Sequence, residues 1–277
     1  MRHLAGKVAV VTGAASGIGR SLALRLARER CALALADIDG GRLAETAAAA
    51  RKEGVVVSTH GVDVADRDAM TAFRDAVVKE HGRAELLVNN AGVALIGSVG
   101  QVELADIDWL MGINFWGVLH GVKLFLPLLQ QQPEAHIVNL SSIFGVIAPP
   151  GQAAYCASKF AVRGFTEALR HELAGSPVKV STVHPGGIRT PIAANARAAQ
   201  SIGNAERSEL VAHFDKIART SPERAAERIV QGILRDEKRI LIGADARFLD
   251  RVQRLFPVGY WQVLGRLMAP RRAAAGD

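Results

Sequence analysis

The segment Val8-Ala9-Val10-Val11-Thr12-Gly13-Ala14-Ala15-Ser16-Gly17-Ile18-Gly19 joins a continuous apolar run to an amphipathic stretch, Gly17 to Arg30, through a turn with three glycines. The apolar run reads as a strand buried on both faces, and the stretch after it as a helix. Gly13 permits a tight turn, Gly17 lets backbone approach a pyrophosphate, and Gly19 lets helix and strand pack closely. The helix N-terminus offers N–H donors and the positive end of a dipole to an anion, with Ser16 and Ile18 flanking Gly17. The spacing is Gly-x-x-x-Gly-x-Gly, and an ordinary loop is the bland alternative. Against that alternative stand the strand before, the helix after, and an acid at the end of the next strand.

The same alternation continues outward. Apolar runs at 32–36, from 55, at 86–88, 136–140, 178–183 and 240–242 alternate with helical patterns at 41–52, 66–81, 104–111, 115–131 and 153–173. Continuous apolar strands, each followed by a helix, imply a parallel sheet covered on both faces, and right-handed crossovers make it doubly wound. The expectation is an α/β, doubly wound Rossmann fold with a seven-stranded parallel sheet, as a single domain over 1–277. A helical lid insertion is expected near 190–220 and a C-terminal helical tail near 245–277.

Asp37 ends the second strand, where a carboxylate can accept hydrogen bonds from ribose hydroxyls and would repel a 2′-phosphate. No Arg occupies 14–16 and no basic residue directly follows Asp37, so NAD is preferred over NADP. The alternative is a cap for the next helix. Asp63, beside Val64 after the third strand, allows either contact with an adenine amino group or a helix cap.

Tyr155 and Lys159 stand four apart in a helical segment, on one face about one turn apart. An ammonium beside a phenol favours phenolate and lowers its pKa. Moving a phenol from about 10 to about 7 needs roughly 4 kcal/mol, which calls for a second positive charge. A surface Tyr and a solvated Lys would show the same spacing.

The chain has 277 residues, 49% hydrophobic and 22% charged, with 34 basic against 27 acidic residues and a net charge of +7. The excess is spread out, with a modest concentration near the C-terminus that includes Arg271 and Arg272. No basic stripe interleaved with aromatics points to nucleic acid. Two cysteines make no disulfide framework. No signal peptide and no apolar run of membrane-spanning length is evident, so a soluble cytoplasmic protein is expected, and no metal-ligand cluster is expected either.

Further motifs stand in order: Asn89-Asn90-Ala91-Gly92, Asn114, Ser142, Tyr155 with Lys159, and Pro185-Gly186. Together with the glycine turn they resemble the classical short-chain dehydrogenase/reductase family from Thr12 to Thr190. The resemblance implies that Tyr155 is general acid in ketone reduction and base in alcohol oxidation, and that Lys159 holds the nicotinamide ribose and lowers the Tyr155 pKa. It implies that Ser142 hydrogen-bonds the substrate oxygen and that Asn114 holds a water linking Lys159 to solvent. Asn90, Ala91 and Gly92 pass close to the cofactor, Pro185, Gly186 and Ile188 wall the nicotinamide, and Thr190 reaches its carboxamide. It also implies a homotetramer or homodimer, with 103–131 and 153–173 as interface candidates.

The pocket segments are 93–96, 143–147 and from Ile192 onward, largely apolar and without a carboxylate clamp. They predict a small hydrophobic secondary alcohol or ketone, alicyclic or steroid-like substrates included; loop packing is the alternative. The tail from Phe248 to Met268, broken near Pro257-Val258-Gly259, packs on its own domain or a twin subunit, covers the substrate mouth, or touches a membrane. Ser141, His184 and Cys156 read as structural. An NADPH-dependent 3-oxoacyl-thioester reductase and a non-catalytic cofactor sensor are the rival functions.

Overall fold

Seven parallel strands make one sheet: β1 (Val8–Thr12), β2 (Ala32–Asp37), β3 (Val57–Gly61), β4 (Leu86–Asn89), β6 (Ala135–Leu140), β7 (Val178–Pro185) and β9 (Arg239–Ile242), in the order β3-β2-β1-β4-β6-β7-β9. A two-stranded parallel pair, β5 (Leu95–Ile96) with β8 (Arg197–Ala198), stands apart. The computed structural model describes residues 1–268; the end of the expected tail, with Arg271 and Arg272, lies outside the described residues.

Side-chain alternation along β1 sorts the core into two layers. Ala9 and Val11 face α1 (Gly17–Arg28) and α8 (Pro222–Leu234), through Leu22, Leu26, Ile229 and Ile233. Val10 faces the opposite way, toward α3 (Arg67–His81), α5 (Gly117–Gln130) and α6 (Ala153–Glu172), through Phe73, Phe125 and Leu169. Each fully buried Leu or Phe contributes about 1.5–3 kcal/mol, so both faces of β1 are tied down by many such groups. The chain leaves β1 for β2 and β3, then returns to β4 beside β1. That reversal opens a crevice at the carboxyl ends of β1 and β4, where such sheets bind ligands.

The strands follow the expected runs to within two residues, with the third beginning at Val57 rather than Val55. The helices α2 (Gly40–Arg51) and α3 are capped by Asp39 and Asp66, which accept from Arg42 N and from Asp68 and Ala69 N. The helical patterns at 104–111 and 115–131 form one continuous run. In it α4 (Leu104–Met111) passes through a π-helical turn, Gly112–Trp116, into α5. This run, Leu104–Gln130, is long and apolar enough to reach membrane-spanning length by composition, contrary to the expectation from sequence. Its Val118, Val122, Phe125 and Leu129 are buried in the core.

Only part of the expected lid is helical, as α7 (Asn204–Ile217), and none of its residues is buried. The tail forms α9 (Ala244–Leu255) and α10 (Tyr260–Met268), interrupted at Pro257 because that residue cannot donate to a continuing helix.

Candidate active site

The glycine turn is held by its neighbours. Gly13 has φ +65, and a Cβ there would lie 2.8 Å from Ala91 Cα. A Cβ on Gly19 would lie 2.0 Å from the Gly13 carbonyl oxygen, so only glycine lets the helix start this close to the strand. The Asn90 amide donates to Thr12 O and Gly13 O, both at 2.9 Å. Thr12 Oγ1 in turn accepts from Asn90 N and Ala91 N. Asn90 thus fastens the exit of β4 to the exit of β1 across the crevice. Ser16, the residue before α1, is extended and its side chain makes no capping hydrogen bond; no acid stands in the first turn. The leading N–H groups of α1 are therefore left for an anion.

Asp37 accepts from Ala15 N through Oδ2 at 2.9 Å and from Asp39 N through Oδ1 at 3.0 Å. It closes the turn against β2, and Asp39 serves as the helix cap. Asp63 is exposed and accepts from Ala65 N at 2.9 Å. The cap of α3 is Asp66, so the capping role considered for Asp63 falls to its neighbour three residues on. Val64 is buried, and its carbonyl meets His120 Nδ1 at 3.0 Å.

Tyr155 and Lys159 lie on the inner face of α6, 9% and 4% exposed. The Lys159 ammonium donates to Leu140 O at 3.2 Å and lies 5.8 Å from the centre of the Tyr155 ring. Burial pushes the Tyr155 phenol up to about 12, opposed by a hydrogen bond with the Ser142 hydroxyl. Burial also pulls the Lys159 ammonium down to about 8. Desolvation of the phenolate is the largest influence on the phenol in the protein alone.

Ser142 leads a short 3₁₀ turn, Ile143–Gly145, and its Oγ accepts from Phe144 N at 3.1 Å. That contact uses a lone pair and leaves the O–H free to donate. His184 Nδ1 donates to Ser142 O at 2.9 Å. Burial pulls His184 down to about 4, which keeps it neutral. Ser141 Oγ donates to Lys159 O at 2.8 Å.

Asn114 is fully buried within the π-helical turn. Its Oδ1 accepts from Val93 N at 2.8 Å, and its Nδ2 donates to Val93 O and Ser158 Oγ. A Cβ on Gly92 would come 3.2 Å from Asn114 Oδ1 and 3.3 Å from Lys159 Nζ. Gly92 thus lies between the amide and the ammonium. Cys156 is buried and its thiol is pushed up to about 11, which keeps it protonated and poorly reactive.

Apolar groups surround the phenol: Tyr155 clusters with Leu95 and Leu110, flanked by Val93, Ala94, Trp109 and Phe144. At the rim, Arg197 stacks on Trp109 at 3.7 Å and pairs with Asp106 at 3.1 Å. Pro185 at the end of β7 and Ile188 beyond it are buried, and Thr190 lies against Gly17. Ile188 bridges Thr220, which ties the two stems of the lid together. The tail packs on its own chain: Leu264 and Tyr260 join Ile143, Val146 and Ile147, and Ala148 N donates to Tyr260 Oη at 2.9 Å.

Sequence reasoning missed Asp245, whose carboxylate accepts from Gly187 N at 2.6 Å, and the buried chain Asn89–Asn139–Thr166 linking β4, β6 and α6. A signal for the second lay in asparagines ending two neighbouring apolar strands. For Asp245 no local signal exists.

A family model described as short chain dehydrogenase matches residues 7–201. Among relatives aligning over nearly the whole chain is SadH of Mycobacterium tuberculosis, described as an oxidoreductase with no substrate named. It is 46% identical over 268 residues, covering 95% of this chain and 96% of that protein. Estradiol 17-beta-dehydrogenase 11 of Macaca fascicularis is 32% identical over 268 residues, covering 96% and 84%. The crystal structure of a short-chain dehydrogenase/reductase from Burkholderia phymatum in complex with NAD superposes with a TM-score of 0.85 at 31% identity, covering 100% of both chains. The chain belongs to the short-chain dehydrogenase family and is an oxidoreductase of that family.

Proposed function

We propose that this protein uses NAD(H) to interconvert a hydrophobic secondary alcohol and its ketone. The observation that carries the reading is the buried Tyr155 phenol, lined by apolar groups and close to the Ser142 hydroxyl, with the Lys159 ammonium 5.8 Å from the centre of its ring. The residues fit a dinucleotide: the uncapped start of α1 suits a pyrophosphate, and Asp37 stands where ribose hydroxyls would meet it. Asp37 would repel a 2′-phosphate, which favours NAD. When bound, the nicotinamide supplies or takes up the hydride.

Tyr155 donates its proton to the ketone oxygen in reduction and takes it back in oxidation. Ser142 donates its free O–H to that oxygen as negative charge develops. Lys159 has two N–H bonds beyond the one given to Leu140, and these hold ribose hydroxyls. Asn114 lines the Lys159 side of Gly92, where a water relays protons; its own amide is taken up by Val93 and Ser158. Asn90, Ala91 and Gly92, with Asp63 and Val64 further along the crevice, border the nucleotide. Pro185, Gly186, Ile188 and Thr190 wall the nicotinamide.

The substrate is hydrophobic because the lining is. Arg197, the cation at the rim, is already neutralised by Asp106 and makes no clamp for an acid. The name of the estradiol dehydrogenase supports a bulky alicyclic alcohol. Copies associate through the π-helical turn that exposes Trp116 and the face of α6 that exposes Phe160, and the protein works in the cytoplasm. Light scattering of a Trp116→Glu/Phe160→Glu variant tests the association: an unchanged mass removes it.

The deciding experiment is a panel of alcohols and ketones, alicyclic and steroidal ones included, read by cofactor absorbance with NAD(H) and NADP(H). Turnover of hydrophobic secondary alcohols with NAD is expected. Turnover confined to 3-oxoacyl thioesters with NADPH replaces this reading with a thioester reductase. Cofactor binding without turnover of any class replaces it with a sensor.

A further inference from the structure

We infer that Asp245, in the first turn of the C-terminal tail, is a positioning residue for the cofactor: it fixes the 186–190 loop that walls the nicotinamide. This rests on the functional reading above. Asp245 Oδ2 accepts from Gly187 N at 2.6 Å, across 58 residues of chain. A Cβ on Gly186 would stand 2.2 Å from the same oxygen, so the loop presents bare backbone to the carboxylate. Gly243 has φ +100, a left-handed turn that carries the chain from β9 into α9, and a Cβ there would lie 2.2 Å from Asp245 Oδ1.

The other side of the same loop is held as well. Thr220 N donates to Gly187 O at 3.2 Å, and Arg189 N donates to Thr220 O at 2.9 Å. Gly187 is thus gripped at its N–H by the tail and at its carbonyl by the base of the lid. A hydrogen bond to a charged acceptor is roughly twice as strong as a neutral one. It therefore adds to the Thr220 contact in fixing where Pro185, Gly186 and Ile188 stand. A second tail contact, Tyr260 Oη with Ala148 N, reaches the loop after Ser142 instead and serves as the control.

The test is direct binding of NADH and NADPH by fluorescence to the full-length wild type and to Asp245→Ala, Asp245→Asn and Tyr260→Phe, with thermal melting of each. Asp245→Ala is expected to weaken binding about tenfold, the loss of one charge-assisted bond. Asp245→Asn keeps a neutral acceptor for Gly187 N and is expected to weaken binding only about threefold. Tyr260→Phe stays within about twofold of wild type, because it touches the other loop. Wild-type affinity in Asp245→Ala overturns the inference. So does an equal loss in Asp245→Ala and Tyr260→Phe that follows their melting temperatures, since that reports general loosening of the tail. A wild type that binds neither cofactor overturns it too. Because binding needs no turnover, the inference stands or falls separately from the assignment of an alcohol substrate.

Discussion

Lys159 Nζ gives its hydrogen bond to the Leu140 carbonyl while lying 5.8 Å from the centre of the Tyr155 ring. The ammonium is anchored to the end of β6, the strand that also delivers Ser142. Three polar groups of the site therefore share one scaffold: a strand end and the helix face above it. At neutral pH the phenol, pushed up to about 12, stands protonated and ready to act as an acid. Release of that proton calls for a positive charge beyond Lys159, which on the proposed reading an oxidised nicotinamide would bring.

Removing the proton donor separates chemistry from binding. Tyr155→Phe is expected to cut turnover by about 10²–10⁴-fold while NADH binding stays near wild type. Stopped-flow turnover set beside fluorescence titration checks this, and turnover that survives removes Tyr155 from its assigned role.

Lys159 makes a stability prediction of definite sign. Its folded pKa is about 8 against 10.5 in the unfolded chain. Between those values the unfolded state holds a proton that the folded state has lost, so stability rises with pH across that window. The melting temperature of wild type minus that of Lys159→Met should grow from pH 8 to pH 10. Tyr155 acts oppositely: with a folded pKa of about 12 against 10.0 it removes stability above pH 10. A flat difference between pH 8 and 10 would contradict the burial of a charged Lys159.

On the acid side the buried histidines dominate. His136 and His184 are pulled by burial to about 3 and about 4 from 6.5. Below pH 6.5 the unfolded chain takes up protons that the folded chain refuses, so stability is lost as pH falls toward 4. Chemical denaturation of His184→Gln at pH 7 and pH 5 should show a smaller loss than wild type. An identical loss in both rules out His184 as a source of acid sensitivity.

Much of this architecture is legible along the chain, because continuous apolar strands and a glycine turn are local signals. The tail break at Pro257 is local too. Missing from the sequence is whatever depends on partners far away. The pairing of β5 with β8 involves two residues a side, too few for periodicity to mark. The π-helical turn that buries Asn114 shows in the sequence only as a gap between two helical patterns, beginning at Gly112. The spacing of Tyr155 and Lys159 reports proximity and says nothing of the burial that raises the phenol. The order of Asn114, Ser142, Tyr155 and Lys159 was readable; their hydrogen-bond partners Val93, Phe144 and Leu140 were not.

Asp37 has a double duty that mutation can expose. Asp37→Ala removes the acceptor for Ala15 N and Asp39 N, which costs about 1–3 kcal/mol. On the proposed reading it also removes the charge that would face a 2′-phosphate. Use of NADP(H) relative to NAD(H), measured as the ratio of kcat/KM values, should rise while the melting temperature falls. An unchanged ratio would mean that cofactor choice lies elsewhere.

Gly19 tolerates no side chain. Gly19→Ala would press a methyl to 2.0 Å from the Gly13 carbonyl, and such overpacking costs about 1–3 kcal/mol. Loss of cofactor affinity together with stability is expected, read by fluorescence titration and calorimetry on the same sample.

The fastening of the glycine turn by Asn90, Thr12 and Asp37 bears on the thermodynamics of association. Ordering a side chain or loop at the moment of binding costs about 0.5–1.5 kcal/mol for each immobilised group. Here that ordering belongs to folding, because the three side chains hold the turn through contacts within the protein. On the proposed reading, a dinucleotide arriving at the crevice would meet a preorganised cradle, and the entropy penalty of shaping it would be absent from the binding free energy.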